Sequence, residues 1–262
     1  MQCTILASGS KGNCMVVEGA GGSLLVDAGL SAKETLFRFN RAGKNPDEIR
    51  AILVTHEHGD HIAGVDVLSR KLHVPVYATG GTLHDFLLNR RTSDHPIDTR
   101  TCQYNSEFCV GDFVIEPFAT FHDANEPCGF CIRDDDIRVG CCTDPGIVNA
   151  KMLSLLQRCD GIVLESNHCP VMLKNGPYPE SLKRRIRSAR GHLSNDAAAE
   201  CLRTLGRDVH AIILGHISEV NNTPEKVRLS ARDGLGLLFD ETSLTIATQA
   251  GTSDTRPQVL SL

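Results

Sequence analysis

Four residues that bind metal ions readily fall within six positions of the segment THEHGDH, residues 55–61: His56, His58, Asp60 and His61. The apolar run Ala51–Val54 leads directly into them, so they stand where a buried strand is expected to end. Two positions apart on an extended backbone, His56 and His58 point to the same side, as two imidazoles on one cation must. Gly59 permits a sharp turn, after which Asp60 and His61 can aim at a neighbouring position. Two cations about 3.5–4 Å apart are the arrangement of two-metal hydrolytic sites. A single histidine beyond a strand is ordinarily a solvated surface residue, but four donors at this spacing are not accounted for that way. Imidazole and carboxylate without thiolate suit zinc first and manganese second, and admit iron.

Such a centre needs strand ends brought together. Apolar runs between Gly/Ser turns predict strands at Cys3–Ala7, Met15–Glu18, Leu24–Asp27, Ala51–Thr55 and Val74–Ala78. Helical spacing is read over Ser31–Arg41, His61–Leu72 (through Ile62, Val65, Leu68 and Leu72) and Gly81–Asn89, with residues 90–100 a polar loop. Strands follow near 101–110, 113–121, 128–133 and 137–142. The remainder reads as helix Ile147–Arg158, strand Gly161–Glu165, helices Ser181–Arg190 and Asn195–Gly206, strand Val209–Leu214, helix Pro224–Arg232 and strand Leu244–Gln249. Residues from about 250 to 262 read as a loose tail. With no internal repeat or linker, residues 1–262 are expected to form one α/β (α+β) domain with two sheets and helices outside them.

The bulk composition excludes several classes. The net charge of −5 gives no global basic field for non-specific nucleic-acid binding. No tryptophan and three tyrosines leave little for gripping single strands by base stacking. The eleven cysteines are scattered and odd in number, as free thiols in a reducing cytoplasm would be. The first residues do not read as a secretion signal, and no apolar run is long enough to span a membrane, so no membrane partner is expected. Cys128 and Cys131 have C-x-x-C spacing but no second half, and their alternating flanks read as a strand with two buried thiols.

THEHGDH resembles the T-H-x-H-x-D-H signature of the metallo-β-lactamase superfamily. The resemblance implies an αββα four-layer sandwich with a di-metal centre at one edge of its sheets, and further ligands in order after later strands. His122 in FATFHDANEPCGF (118–130), Asp144 in VGCCTDPG (139–146) and His216 in AIILGHISE (211–219) answer to them. By that resemblance His56, His58 and His122 hold one cation and Asp60, His61 and His216 the other, while Asp144 bridges. A hydroxide shared between the cations would be the nucleophile, with Asp60 in the catalytic group as well as the ligand set.

LASGSKGNC, FHDANEPCGF, TDPG, ESNH, YPESLKRRI, GHLSN and LGHISEVNNTPE resemble the YycJ (WalJ)-type branch over nearly the whole chain. That resemblance implies a 5′→3′ exonuclease of DNA with a role in repair. It also implies, by similarity to the tRNA 3′-processing ribonucleases, that His192 protonates the leaving oxygen, with Glu165 or His168 in support. The sequence departs from the branch at Asn167-His168-Cys169, where an acid usually ends the triplet. The stretch from His122 to Asp144 is too short for a tRNA-holding arm, and that from Asp144 to His216 too short for an inserted nuclease domain.

Phosphate contacts are expected from the Ser/Gly turn at residues 6–14, through Ser8, Ser10 and Asn13, and from the basic run Lys183, Arg184, Arg185, Arg187 and Arg190, through Lys183 and Arg187. The competing reading of that run is a solvated helix face. The leading functional expectation is a two-metal phosphodiesterase acting on nucleic acid, DNA ahead of RNA. A glyoxalase II-like thioester or lactone hydrolase is one alternative and a metal-stabilised, non-enzymatic interaction protein another. A β-lactamase fits less well, since it would carry a secretion signal and a cysteine ligand.

Overall fold

Runs such as GIVLE and AIILG are apolar without alternation, and strands of that kind are stable only with both faces covered. The computed structural model, which describes residues 1–90, 95–206, 209–238, 243–249 and 258–261, shows how they are covered.

Two seven-stranded sheets face each other. In the first, β1 (Gln2–Ala7), β2 (Cys14–Gly19) and β3 (Gly22–Val26) run antiparallel, and β4 (Ile49–Leu53), β5 (Val76–Ala78) and β6 (Thr99–Thr101) continue parallel to β3. The second sheet repeats this plan. Its antiparallel half is β7 (Phe108–Val110), β8 (Phe113–Ala119), β9 (Cys128–Asp134) and β10 (Ile137–Cys142). Its parallel half adds β11 (Gly161–Glu165), β12 (Ala211–Gly215) and β13 (Leu244–Ile246). The parallel halves matter for function, because loops leaving the carboxyl ends of parallel strands gather on one side.

Val17, Leu24, Leu53, Phe113, Phe130, Ile132 and Ile213 fill the space between the sheets. On the outer face of the first sheet, Val16, Leu25 and Ile52 meet Phe39 of α1 (Ala32–Arg41), Leu68 of α3 (Val65–Leu72) and Phe86 of α4 (Gly80–Leu88), with α2 (Gly59–Ile62) preceding α3. On the far side, Ile162, Leu164 and Ile212 meet Met152 of α5 (Ala150–Leu156), Leu202 of α8 (Asn195–Leu205) and Val227 of α9 (Pro224–Leu235). The short helices α6 (Pro170–Asn175) and α7 (Glu180–Ile186) lie between β11 and α8 in the chain. This is the expected αββα sandwich, with adjacent residues such as Leu24 and Leu25 feeding opposite layers.

Cys128 faces the inner core and Cys131 the outer one, as their spacing on a strand requires. All eleven thiols are free and nine are buried. No described helix is long and apolar enough to cross a membrane.

Several boundaries differ from the sequence reading. The single helix expected over His61–Leu72 is two, α2 and α3. Between them the Gly64 N–H donates to the Ala28 carbonyl at 2.8 Å. A Cβ on Gly64 would fall 2.3 Å from the Leu30 carbonyl oxygen, so the approach of another segment breaks the helix. The basic helix ends at Ile186 rather than Arg190, because the chain turns back until the His192 N–H reaches the Ile186 carbonyl. Helix α6 was not anticipated, and the strand expected near 101–110 is divided between β6 and β7. The expectation of a loose tail does not hold for Gln258–Ser261, which form β14 antiparallel to β1 and supply the open edge of that strand with hydrogen-bond partners. Residues 250–257 of that tail and 91–94 of the polar loop lie outside the described residues.

Candidate metal centre

Strand β4 delivers the first donors. Beyond it, the Thr55 N–H donates to Asp27 Oδ1 at 2.8 Å and the Thr55 hydroxyl lies 2.9 Å from Asp27 Oδ2. Asp27, just past the parallel neighbour β3, holds a left-handed backbone with φ 59°. Its Oδ2 is 2.7 Å from His61 Nδ1, which leaves His61 Nε2 for the site. His56 Nδ1 is 3.0 Å from the Thr55 hydroxyl, so its Nε2 also points inward, where it is buried without a hydrogen-bond partner. His122, three residues past β8, lies 3.1 Å from the Gly191 carbonyl through Nδ1. Its Nε2 meets His58 Nδ1 at 3.2 Å. One ring nitrogen each of His56, His58 and His122 thus converges, all within 4.8 Å of one another.

The second sheet supplies the facing donors from successive strand ends. Asp144 follows β10, Glu165 ends β11 and His216 follows β12; Asp144 (φ 56°) and His216 (φ 53°) both have left-handed backbones. Asp144 Oδ2 lies 2.9 Å from His61 Nε2, and its Oδ1 lies 2.5 Å from His216 Nδ1 and 3.2 Å from His192 Nδ1. Asp60 Oδ2 stands 3.7 Å from both His61 Nε2 and His216 Nε2. Asp60, His61 and His216 form one group with metal-ligand spacing; Asp144 belongs to two others, with His56 and His61, and with Glu165, His192 and His216.

Charge divides the two sides. Burial, aided by neighbouring imidazoles, holds His56 well below the usual histidine range, and burial also lowers His122; neutral rings offer lone pairs. Burial acts on His61 in the same direction, but the charges of Asp27 and Asp144 outweigh it and push His61 up to about 10. His216 is raised well above its usual value against burial, chiefly by Asp144. Burial would raise the Asp144 carboxyl, but the charges of His216 and His61 hold it well below the carboxylate range. Without a cation these protonated rings neutralise the buried carboxylates; with one bound, they would release those protons to solvent and offer a nitrogen lone pair to the metal.

The residues fit a metal group. The donors are imidazole and carboxylate, and the buried Nε2 atoms of His56 and His216 make no hydrogen bond. An unpaired polar atom in such a place is costly unless a cation or water meets it.

Of the other expected residues, His192 is brought to the centre and His168 is not among its donor groups. Glu165, fully buried, lies 2.8 Å from Nδ1 of both His192 and His216 and accepts the Leu193 N–H at 2.9 Å. His168 is buried, and that burial lowers it to about 4. Its backbone supports the His192 loop instead: Asn167 N–H donates to Leu193 O and Asn195 N–H to His168 O, each at 2.9 Å. Ser8 is buried with its Oγ accepting the His216 N–H at 2.7 Å, which places it behind a candidate ligand. Asn13 Nδ2 sits 3.0 Å from His61 Nε2, while Ser10 is exposed. Lys183 does not fit its expected phosphate role, being buried with its ammonium on the Lys174 carbonyl and Glu180. Arg187 donates to the Lys183 carbonyl and faces Glu180 at 3.8 Å.

Sequence reasoning missed Asp27 and Thr55 as supports. The available signal was a carboxylate closing the buried strand that pairs in parallel with the histidine-bearing one.

Comparison with known proteins agrees with this architecture. Residues 23–217 match the beta-lactamase superfamily domain, and the chain belongs to that family, as a hydrolase with the metallo-β-lactamase fold. Within it, the chain is of the YycJ type. It is 38% identical over 229 residues to exodeoxyribonuclease WalJ of Streptococcus pneumoniae, covering 87% of this chain and 85% of that protein. To exodeoxyribonuclease YycJ of Bacillus anthracis it is 38% identical over 235 residues, covering 87% and 86%. Among solved structures, Zn2+-bound PqqB from Methylobacterium extorquens matches the fold with a TM-score of 0.73 over 100% of both chains, at 17% identity.

Proposed function

We propose that this chain is a divalent-metal-dependent exodeoxyribonuclease that shortens DNA from its 5′ end. The observation that carries the reading is His192. Its side chain keeps 22% of its surface exposed where Asp144, His61 and His216 keep 1–3%. A buried carboxylate fixes it and solvent can reach it, in a chain closely similar to two exodeoxyribonucleases.

Two cations, zinc or manganese, held by His56, His58 and His122 on one side and Asp60, His61 and His216 on the other with Asp144 between, would supply an activated water and offset the phosphate charge. The protein's own part is proton management and orientation. His192 Nδ1–H donates to Glu165, which fixes the ring plane and favours its cationic form. The Nε2 edge then carries the proton that the departing oxygen needs. Glu165 also steadies His216, so one buried carboxylate sets both the proton donor and a neighbouring ligand. The free thiols fit a reducing, cytoplasmic setting.

The test is turnover of 5′-labelled double-stranded DNA, with RNA of the same sequence and a thioester beside it, on protein loaded with zinc and then manganese. Stepwise shortening of the DNA is expected, with His192→Ala slower by about 10²–10⁴ at unchanged metal content. Thioester turnover with inert DNA would move the chain to the small-molecule hydrolases. Retained rate in His192→Ala, or metal lost with it, would remove the proton-donor role.

A further inference from the structure

A polyanionic substrate must meet cationic groups of the protein beside the centre, yet most basic side chains there are already committed. Arg190 donates through Nε to the His122 carbonyl at 3.0 Å and through Nη2 to the Ala124 carbonyl at 3.2 Å, where it braces a loop. Lys183 is buried with its ammonium on the Lys174 carbonyl of α6, and Lys11 is paired with Glu219 at 2.6 Å.

Arg185 is arranged differently. Its Nε donates to Asp123 Oδ2 at 2.5 Å, and its side chain is 56% exposed. Its two terminal nitrogens have no partner among the described residues. Asp123 follows His122 in sequence; its other oxygen is buried, makes no hydrogen bond and lies 3.4 Å from His122 Nε2. One carboxylate therefore spans from the edge of the His56–His58–His122 group to a solvent-facing guanidinium. Anchoring through Nε leaves the planar pair of terminal nitrogens outward, the edge that binds two phosphate oxygens at once.

We propose that Arg185, positioned by Asp123, receives a phosphate of the nucleic-acid substrate beside the His56–His58–His122 group; this rests on the phosphodiesterase reading. Asp123 acts through Arg185 as a positioning residue. Neighbouring Arg184 is also exposed, without a partner among the described residues, and has no such link to the centre.

The experiment measures KM and kcat on DNA between about 50 and 200 mM salt, with metal content, for wild type, Arg185→Ala, Arg185→Lys, Asp123→Asn and Arg184→Ala. Arg185→Ala should raise KM about tenfold, the loss of one charge-assisted contact, with metal unchanged and the salt slope reduced by about one phosphate contact. Arg185→Lys should keep the slope while recovering only part of the affinity, since it supplies charge without the fork. Asp123→Asn should raise KM part way with metal retained, and Arg184→Ala should leave both readouts within about twofold of wild type. Equal responses from Arg184→Ala and Arg185→Ala would overturn the assignment in favour of diffuse helix charge, as would a fall in kcat with loss of metal in Arg185→Ala. Wild-type protein inert on DNA with both metals would defeat the phosphodiesterase reading itself, and the inference with it.

Discussion

The two sides of the centre are built on opposite plans. His56, His58, Asp60 and His61 come from one short segment that leaves β4 and runs into α2, whereas Asp144, Glu165 and His216 come singly from three successive strands of the facing sheet. The charge differs as well. His56, His58 and His122 form a group of imidazoles alone, while the carboxylates Asp144 and Glu165 of the facing sheet meet His216 and, across the centre, His61, imidazoles that hold protons when no cation is near. On the imidazole side, one hydrogen bond through Nδ1 fixes each of His56 and His122. Buried carboxylates need strand ends, because only a rigid frame keeps like charges this close.

Asp144 joins the two plans, and its removal is the most severe way to break the comparison. Asp144→Ala should abolish turnover and lower the metal bound per chain, read by elemental analysis of purified protein. Full metal content with retained activity would mean that the two sides work independently. Asp27→Asn probes the loop side alone. The variant loses the carboxylate that fixes His61, so metal affinity should fall by about 10–100-fold while the fold survives. Affinity within a factor of two of wild type, by competition with a chelating dye, would leave Asp27 a purely structural residue.

The smallest effect sharpens the charge difference. In chelator-treated protein His61 is raised to about 10 and His216 is raised well above the ordinary value of 6.5. A raised folded value means stabilisation that is fully present below about pH 6.5 and fades as pH climbs towards 10. The melting temperature of chelated protein should therefore decline across that window, while metal-loaded protein declines less. A chelated protein that gains stability between pH 7 and 10 would contradict the assigned charges.

How legible each side was in the sequence follows from the same contrast. THEHGDH declares itself because four donors share one turn, and spacing alone suffices. His122, Asp144 and His216 each follow a different strand, so none differs locally from a surface residue; only resemblance to a family links them. Asp27 was read as the last residue of a strand, since its partners Thr55 and His61 are 28 and 34 positions away. Lys183 shows the limit of counting charges on a helix: composition marks α7 as basic, but packing turns Lys183 and Ile186 inward and leaves Arg184 and Arg185 out. The break at Gly64 was invisible because the Ala28–Leu30 segment that causes it approaches only in three dimensions.

Asp27, Asp144 and His216 share a left-handed backbone that L-residues adopt at a cost on the order of 1–3 kcal/mol each. Asp and His tolerate it better than branched residues, but glycine would occupy it with less strain. Glycine at these positions would relieve that strain, but it would also remove the buried hydrogen bonds of Asp27 to Thr55 and His61 and the pairing of Asp144 with His61 and His216. The strained backbone is thus held by the same contacts that build the centre, so any campaign to harden this protein has to score chemistry alongside melting temperature.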